Sequence, residues 1–244
     1  MVSMPVAPTC YGLVNESTSI KDADVETMAY ALELQLQRDF CPAYNLPVLP
    51  VKPYGPNDLL PDGAWYLHFV DNVSDADALG YHTDEDGLIF GNIEIAVLLK
   101  YGCGILSTPR GQGGPDSVSS VVSHELMEMA VDPQVNLWSP TVAPIDGTSQ
   151  ATEVCDPCQE DYYMINGVQV SDFVLPAYWL KDAPAGSRFD HLNVLSAPFT
   201  IAPGGYAVVQ DSTGASKQVY GARPPSALRQ VMNRRKKMRL QPKK

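Results

Sequence analysis

The chain has 244 residues, 45% hydrophobic and 18% charged, a balance that excludes an intrinsically disordered protein and suits one sizeable domain. Net charge is −11, but nine of the 17 Lys and Arg residues lie from Arg223 onward with no Asp or Glu among them; the first 222 residues therefore carry eight basic against 28 acidic groups, a net of −20. An acidic body with a basic tail points to two kinds of partner, and no apolar run reaches the roughly 18–20 residues that span a bilayer.

Met1 to Pro5 shows no basic segment leading into an apolar one, so no secretory signal and a cytoplasmic location are expected. Residues 1–20 read as an irregular lead-in, 21–222 as one domain, and 223–244 as a basic tail. Asp22 to Phe40 is expected to be helical, with Val25, Met28, Ala29, Leu32 and Leu36 on one face and Asp22 as N-cap. Leu46 to Val51 is extended, because Pro47 and Pro50 disfavour helix before them. Trp65 to Asp71 alternates like a strand. Ala78–Thr83 and Leu88–Leu99 flank the turn Asp84-Glu85-Asp86-Gly87, and the pattern leaves open whether the second segment is strand, helix or both. A Gly-rich loop, 102–114, leads to a helix over 117–131, capped by Asp116 or Ser117 and stopped by Pro133. Short strands are expected around Glu153, at Tyr162–Ile165 and at Val168–Val170. A last β region spans Phe189–Tyr220, and the tail after Pro225 can form one basic helix.

The helix over 117–131 carries the chemistry. His124 and Glu128 stand one turn apart on one face, so an imidazole nitrogen and a carboxylate oxygen can converge on one ion, with Glu125 about 100° around the helix beside them. This is the mechanical arrangement of helices in which two ligands bracket a general base. His-Glu-x-x-Glu alone is a common pattern. Here valines flank it, so it should be buried, and buried ionisable groups need a compensating partner such as a cation. The acidic cluster Glu153-Val154-Cys155-Asp156, 25 to 28 residues further on, can supply a third ligand. Five scattered cysteines argue against a disulfide framework. The single pair Cys155-Asp156-Pro157-Cys158 lacks a matching second pair, so its thiols are read as buried and idle.

Val121-Val122-Ser123-His124-Glu125-Leu126-Met127-Glu128, followed by Asp132-Pro133, Asn136, Trp138 and Glu153-Val154-Cys155-Asp156-Pro157, resembles a zincin-like family of bacterial and tailed-phage proteins. That family is distantly similar to plant phosphate-induced, exordium-like proteins. Ala78-Leu79-Gly80-Tyr81-His82, Val170 to Pro176 and Pro203-Gly204-Gly205-Tyr206 extend the resemblance over roughly residues 23–210. It implies a zincin-like α+β fold, a small twisted mixed sheet packed on the active-site helix, with a β-rich C-terminal part. It further implies zinc held by His124, Glu128 and Asp156, with Glu153 as the alternative third ligand and Glu125 as the base. His82 is a further candidate, as ligand or as donor to an oxyanion. His68 reads as a core histidine and His191 as a loop residue. Glu128 stands where metallopeptidases of this type carry a second histidine; a carboxylate there weakens the ion as a Lewis acid and widens tolerance for calcium.

Arg234, Arg235, Lys236, Lys237 and Arg239 can contact DNA phosphates or the acidic body of a neighbouring subunit. Two functions follow. One is a metal-dependent hydrolase, a peptidase acting on peptide or protein substrates. The other is a non-catalytic structural or interaction protein of a phage particle, located in the virion, with a metal-stapled fold and a basic tail.

Overall fold

A computed structural model of the chain describes residues 7–71, 79–109, 116–141 and 149–222. The basic tail, with Arg234, Arg235, Lys236, Lys237 and Arg239, lies outside the described residues, as do Ala78 and residues 110–115 of the expected Gly-rich loop and its approach to the helix. In chain order come β1 (Tyr11–Asn15) and α1 (Asp22–Gln35), which runs through a π-helical turn, Leu36–Phe40, into the short α2 (Cys41–Tyr44). Then follow β2 (Val51–Tyr54), β3 (Trp65–Val70), β4 (Gly80–Glu85), β5 (Leu88–Glu94), α3 (Ile95–Lys100) and α4 (Val118–Val131). The C-terminal part holds β6 (Trp138–Pro140), β7 (Ser149–Ala151), β8 (Tyr162–Ile165), β9 (Val168–Ser171), β10 (Tyr206–Gln210) and β11 (Ser216–Tyr220). The fold class is α+β.

The main sheet has the order β2-β1-β3-β5-β4, parallel except for the β4–β5 pair. That pair is antiparallel because Asp86 and Gly87, at φ 54° and 87°, close a two-residue hairpin whose twist matches its strands. Asn166-Gly167 closes the β8–β9 hairpin in the same way. The segment with undecided periodicity resolves into both elements, strand to Glu94 and helix from Ile95.

Two expectations need correction. The supposed lead-in holds β1, a central strand of the sheet. All five of its residues are buried, so it shows none of the alternation that marks a half-exposed strand. The short strand expected around Glu153 falls just before it: β7 ends at Ala151 and a 3₁₀ turn follows at Asp156–Cys158. Pro157 sits inside that turn, and a proline cannot donate to a sheet ladder.

One continuous core joins β1, α1, β3, β5, α4 and β9 through Leu13, Met28, Leu32, Leu67, Ile93, Val121 and Val170. Helix α4 is buried over twelve of its fourteen residues, with its start capped by Ser117 accepting from the Ser120 amide at 3.1 Å. A polar ring ties three elements together. The Ser123 hydroxyl donates to Gln35 Oε1 (2.8 Å), Gln35 Nε2 donates to the Ser171 carbonyl (3.0 Å), and the Ser171 amide donates to Ser123 Oγ (3.0 Å).

Gly80 decides how closely α4 approaches β4. A Cβ there would lie 2.9 Å from Val121 Cγ1 and 3.1 Å from Glu125 Cγ. Gly80→Ala is therefore expected to destabilise the fold by about 1–3 kcal/mol through overpacking, measured as a lower urea midpoint. A cost below roughly 0.5 kcal/mol, the scale of a neutral surface change, would mean that the helix retreats freely.

Candidate metal centre

Helix α4 carries three of the site residues, and its burial places all of them in the interior: His124, Glu125 and Glu128 have no exposed surface. Across from it runs the segment Glu153–Cys158, anchored by the Val174 amide on the Val154 carbonyl (2.7 Å) and the Ala202 amide on the Pro157 carbonyl (2.9 Å). Gly205 packs with its Cα against the Pro157 carbonyl, where any side chain would collide. Pro203-Gly204-Gly205 thus supports the turn beneath the site.

His124 Nε2 lies 3.2 Å from Glu128 Oε1 and 3.3 Å from Asp156 Oδ1. Neither contact has hydrogen-bond geometry, and neither ring nitrogen of His124 has a hydrogen-bond partner. Two ligand atoms at about 2.0–2.1 Å from one tetrahedral ion are separated by about 3.3–3.4 Å. The spacing thus matches two ligands of one ion, and the undirected imidazole is what a lone pair awaiting a cation looks like. The residues present fit a divalent metal. Without one, burial pulls the His124 imidazolium down, and the Glu128 and Asp156 carboxylates outweigh it and lift its pKa to about 9.

A third group stands in the same place. The ligand atoms of His124, Glu128 and Cys155 lie within 4.8 Å of one another, all buried. The Cys155 amide also donates to Glu128 Oε1 (3.3 Å) and orients that oxygen. Sequence reasoning treats Cys155 as an idle thiol because a CxxC is scanned for a second pair. The signal available was its position between Glu153 and Asp156. Glu153 and Asp156 are buried as well but belong to neither compact cluster of ligand atoms among the described residues; Asp156 joins the centre through its 3.3 Å approach to His124.

The second cluster is His82, Glu125 and Glu128. His82, buried on β4, approaches Glu125 Oε2 with Nδ1 (3.1 Å) and the Asp132 carbonyl with Nε2 (3.0 Å). A carbonyl only accepts, so Nε2 carries a hydrogen and Nδ1 is the nitrogen that shares a proton with the carboxylate. Both ring nitrogens are thus engaged, and an oxyanion role would require breaking one of these bonds. Burial alone would raise the Glu125 carboxyl; His82 and His124 outweigh it and hold it below the usual carboxylate range. Glu125 Oε1 has no hydrogen-bond partner.

Asp132 fixes the far end of the helix by accepting from the Asn136 and Leu137 amides, each at 3.0 Å. His68 is half-buried on β3 with Nδ1 3.0 Å from Glu16, a rim position and not a core one. His191 stacks on Phe173 in a loop. Two clefts, of about 460 and 370 Å³, share no lining residue with the centre. Among the described residues no helix is long and apolar enough to cross a membrane. No known protein family, curated protein or solved structure matches the chain.

Proposed function

We propose that the protein is a divalent-metal-binding protein of zincin-like build, with zinc held between α4 and the Glu153–Cys158 segment by His124, Glu128 and Asp156. The observation that carries this is the convergence of two carboxylate oxygens on His124 Nε2 at ligand spacing without hydrogen-bond geometry. Complete burial of these groups favours a stapling role, in which the ion ties the helix to the turn and adds its binding energy to folding. Elemental analysis of the purified chain is expected to find about one zinc per molecule, lost in His124→Ala. Chelation is expected to lower Tm by roughly 5–10 °C, from about 2.7 kcal/mol of linkage at a hundredfold excess over Kd. Metal content unchanged in His124→Ala overturns the reading.

A second reading, a metal-dependent peptidase, is favoured by the free Glu125 Oε1. This oxygen sits beside the metal ligands and can take a proton. The metal would supply Lewis acidity. Glu125 would be the base, and His82 would hold that carboxylate in position. Cleavage of an unstructured protein substrate, abolished in Glu125→Gln with metal content intact, supports it; absence of turnover in the metal-loaded chain removes it. The non-catalytic alternative, in which the protein belongs to a phage particle and uses its tail on DNA or a neighbouring subunit, predicts co-purification with an oligomer or particle.

A further inference from the structure

Three observations bear on Cys155. Its Sγ lies within 4.8 Å of the ligand atoms of both His124 and Glu128. Its amide holds the same Glu128 oxygen that faces His124. His124, fully buried, has no hydrogen-bond partner at either nitrogen, so its ring is uncommitted within reach of that sulfur. We propose that Cys155 is a thiolate ligand of the centre, completing a His124–Glu128–Cys155 set, and that the site is therefore selective for zinc-like ions over calcium or magnesium.

The proposal rests on the metal-binding reading and narrows it. Binding breaks the S–H bond: the proton leaves to solvent, and the sulfur electron pair goes to the ion with no change of oxidation state. A bound cation stabilises the deprotonated sulfur of a ligating thiol. Thiolate donors favour zinc-like over oxygen-seeking ions. Cys158, the other half of the pair, is equally buried but belongs to neither cluster of ligand atoms among the described residues, so it serves as an internal control.

The test uses the full chain, stripped with chelator and reloaded with cobalt(II) alone. A thiolate-to-cobalt charge-transfer band is expected in the wild type and in Cys158→Ser. In Cys155→Ser the band should be lost while cobalt remains bound by its ligand-field absorption. Cobalt bound without that band in the wild type overturns the thiolate ligand and leaves the metal centre standing; no cobalt bound at all overturns both. Because Cys155→Ser could disturb a buried site, X-ray absorption on the zinc-loaded wild type gives a variant-free answer. A sulfur scatterer at about 2.3 Å is expected, and a shell of only nitrogen and oxygen at about 2.0–2.2 Å refutes it. Millimolar calcium is expected not to displace the cobalt.

Discussion

Replacing His82 with alanine is expected to destabilise the fold by about 3–5 kcal/mol, because it empties the space of a buried ring and strips two buried groups of their partner. The ring fills a space with no solvent exposure and meets two obligate acceptors, Glu125 Oε2 and the Asp132 carbonyl. Its loss leaves the carboxylate buried beside Glu128 without its partner, and leaves the carbonyl without a donor, itself a penalty of about 1–3 kcal/mol. Two controls separate charge from shape. Glu125→Gln keeps a polar group able to donate to Nδ1 and is expected to cost under about 1.5 kcal/mol. His82→Leu combined with Glu125→Leu removes both partners, and is expected to recover most of the single-mutant loss. Urea unfolding with a common m-value measures all four proteins. A cost below about 1 kcal/mol for His82→Ala would mean that water replaces the ring without penalty, so that the pair holds nothing together.

That pair also marks how far the sequence alone reaches. The helix over 117–131 was readable because its valine stripe, serine cap and terminating Pro133 are local signals, and α4 ends at Val131. The Asp-Gly and Asn-Gly hairpins are local in the same sense. Strand β1 was not readable: a strand buried on both faces has no period, and Tyr-Gly-Leu-Val-Asn resembles any short apolar stretch. In the centre, the spacing of His124 and Glu128 is helical geometry and needs no tertiary information. The meeting of His82 with Glu125 spans 43 residues and depends on Gly80 allowing β4 against α4. The nearness of Cys155 to His124 and Glu128 was hidden for a different reason, since it depends on the path of a non-repetitive turn. Periodicity has nothing to say about that.

Raising the pH is expected to weaken the fold through Asp172, independently of any metal. Asp172 ends the β9 hairpin, is buried, and spends Oδ1 on the amides of Phe173 (2.8 Å) and Leu192 (3.1 Å). Asp190 lies against it and accepts from the amides of Leu195 (2.7 Å) and Val194 (2.9 Å). Burial first, and the neighbouring Asp190 carboxylate second, raise the Asp172 pKa to about 9. Asp172 Oδ2 has no hydrogen-bond partner, whereas Oδ1 is held by two amides, so Oδ2 is the oxygen on which a proton displaces nothing. Burial first, and the charge of Asp172 with it, push the nearby Cys158 thiol well above its usual range. A folded-state pKa above the unfolded value of about 3.9 gives stability that is complete below about pH 4 and is lost as pH rises through about 9. In that window the native state holds a proton the unfolded chain has released, and the limiting slope is about 1.4 kcal/mol per pH unit. Asp172→Asn keeps the acceptor for both amides and a donor for Asp190 while removing the titration. The variant is expected to match or exceed the wild type above neutral pH and to flatten the decline in Tm between pH 5 and 9. Parallel pH profiles for the two proteins would mean that the carboxyl pair sheds its proton without cost, and that alkaline instability arises elsewhere.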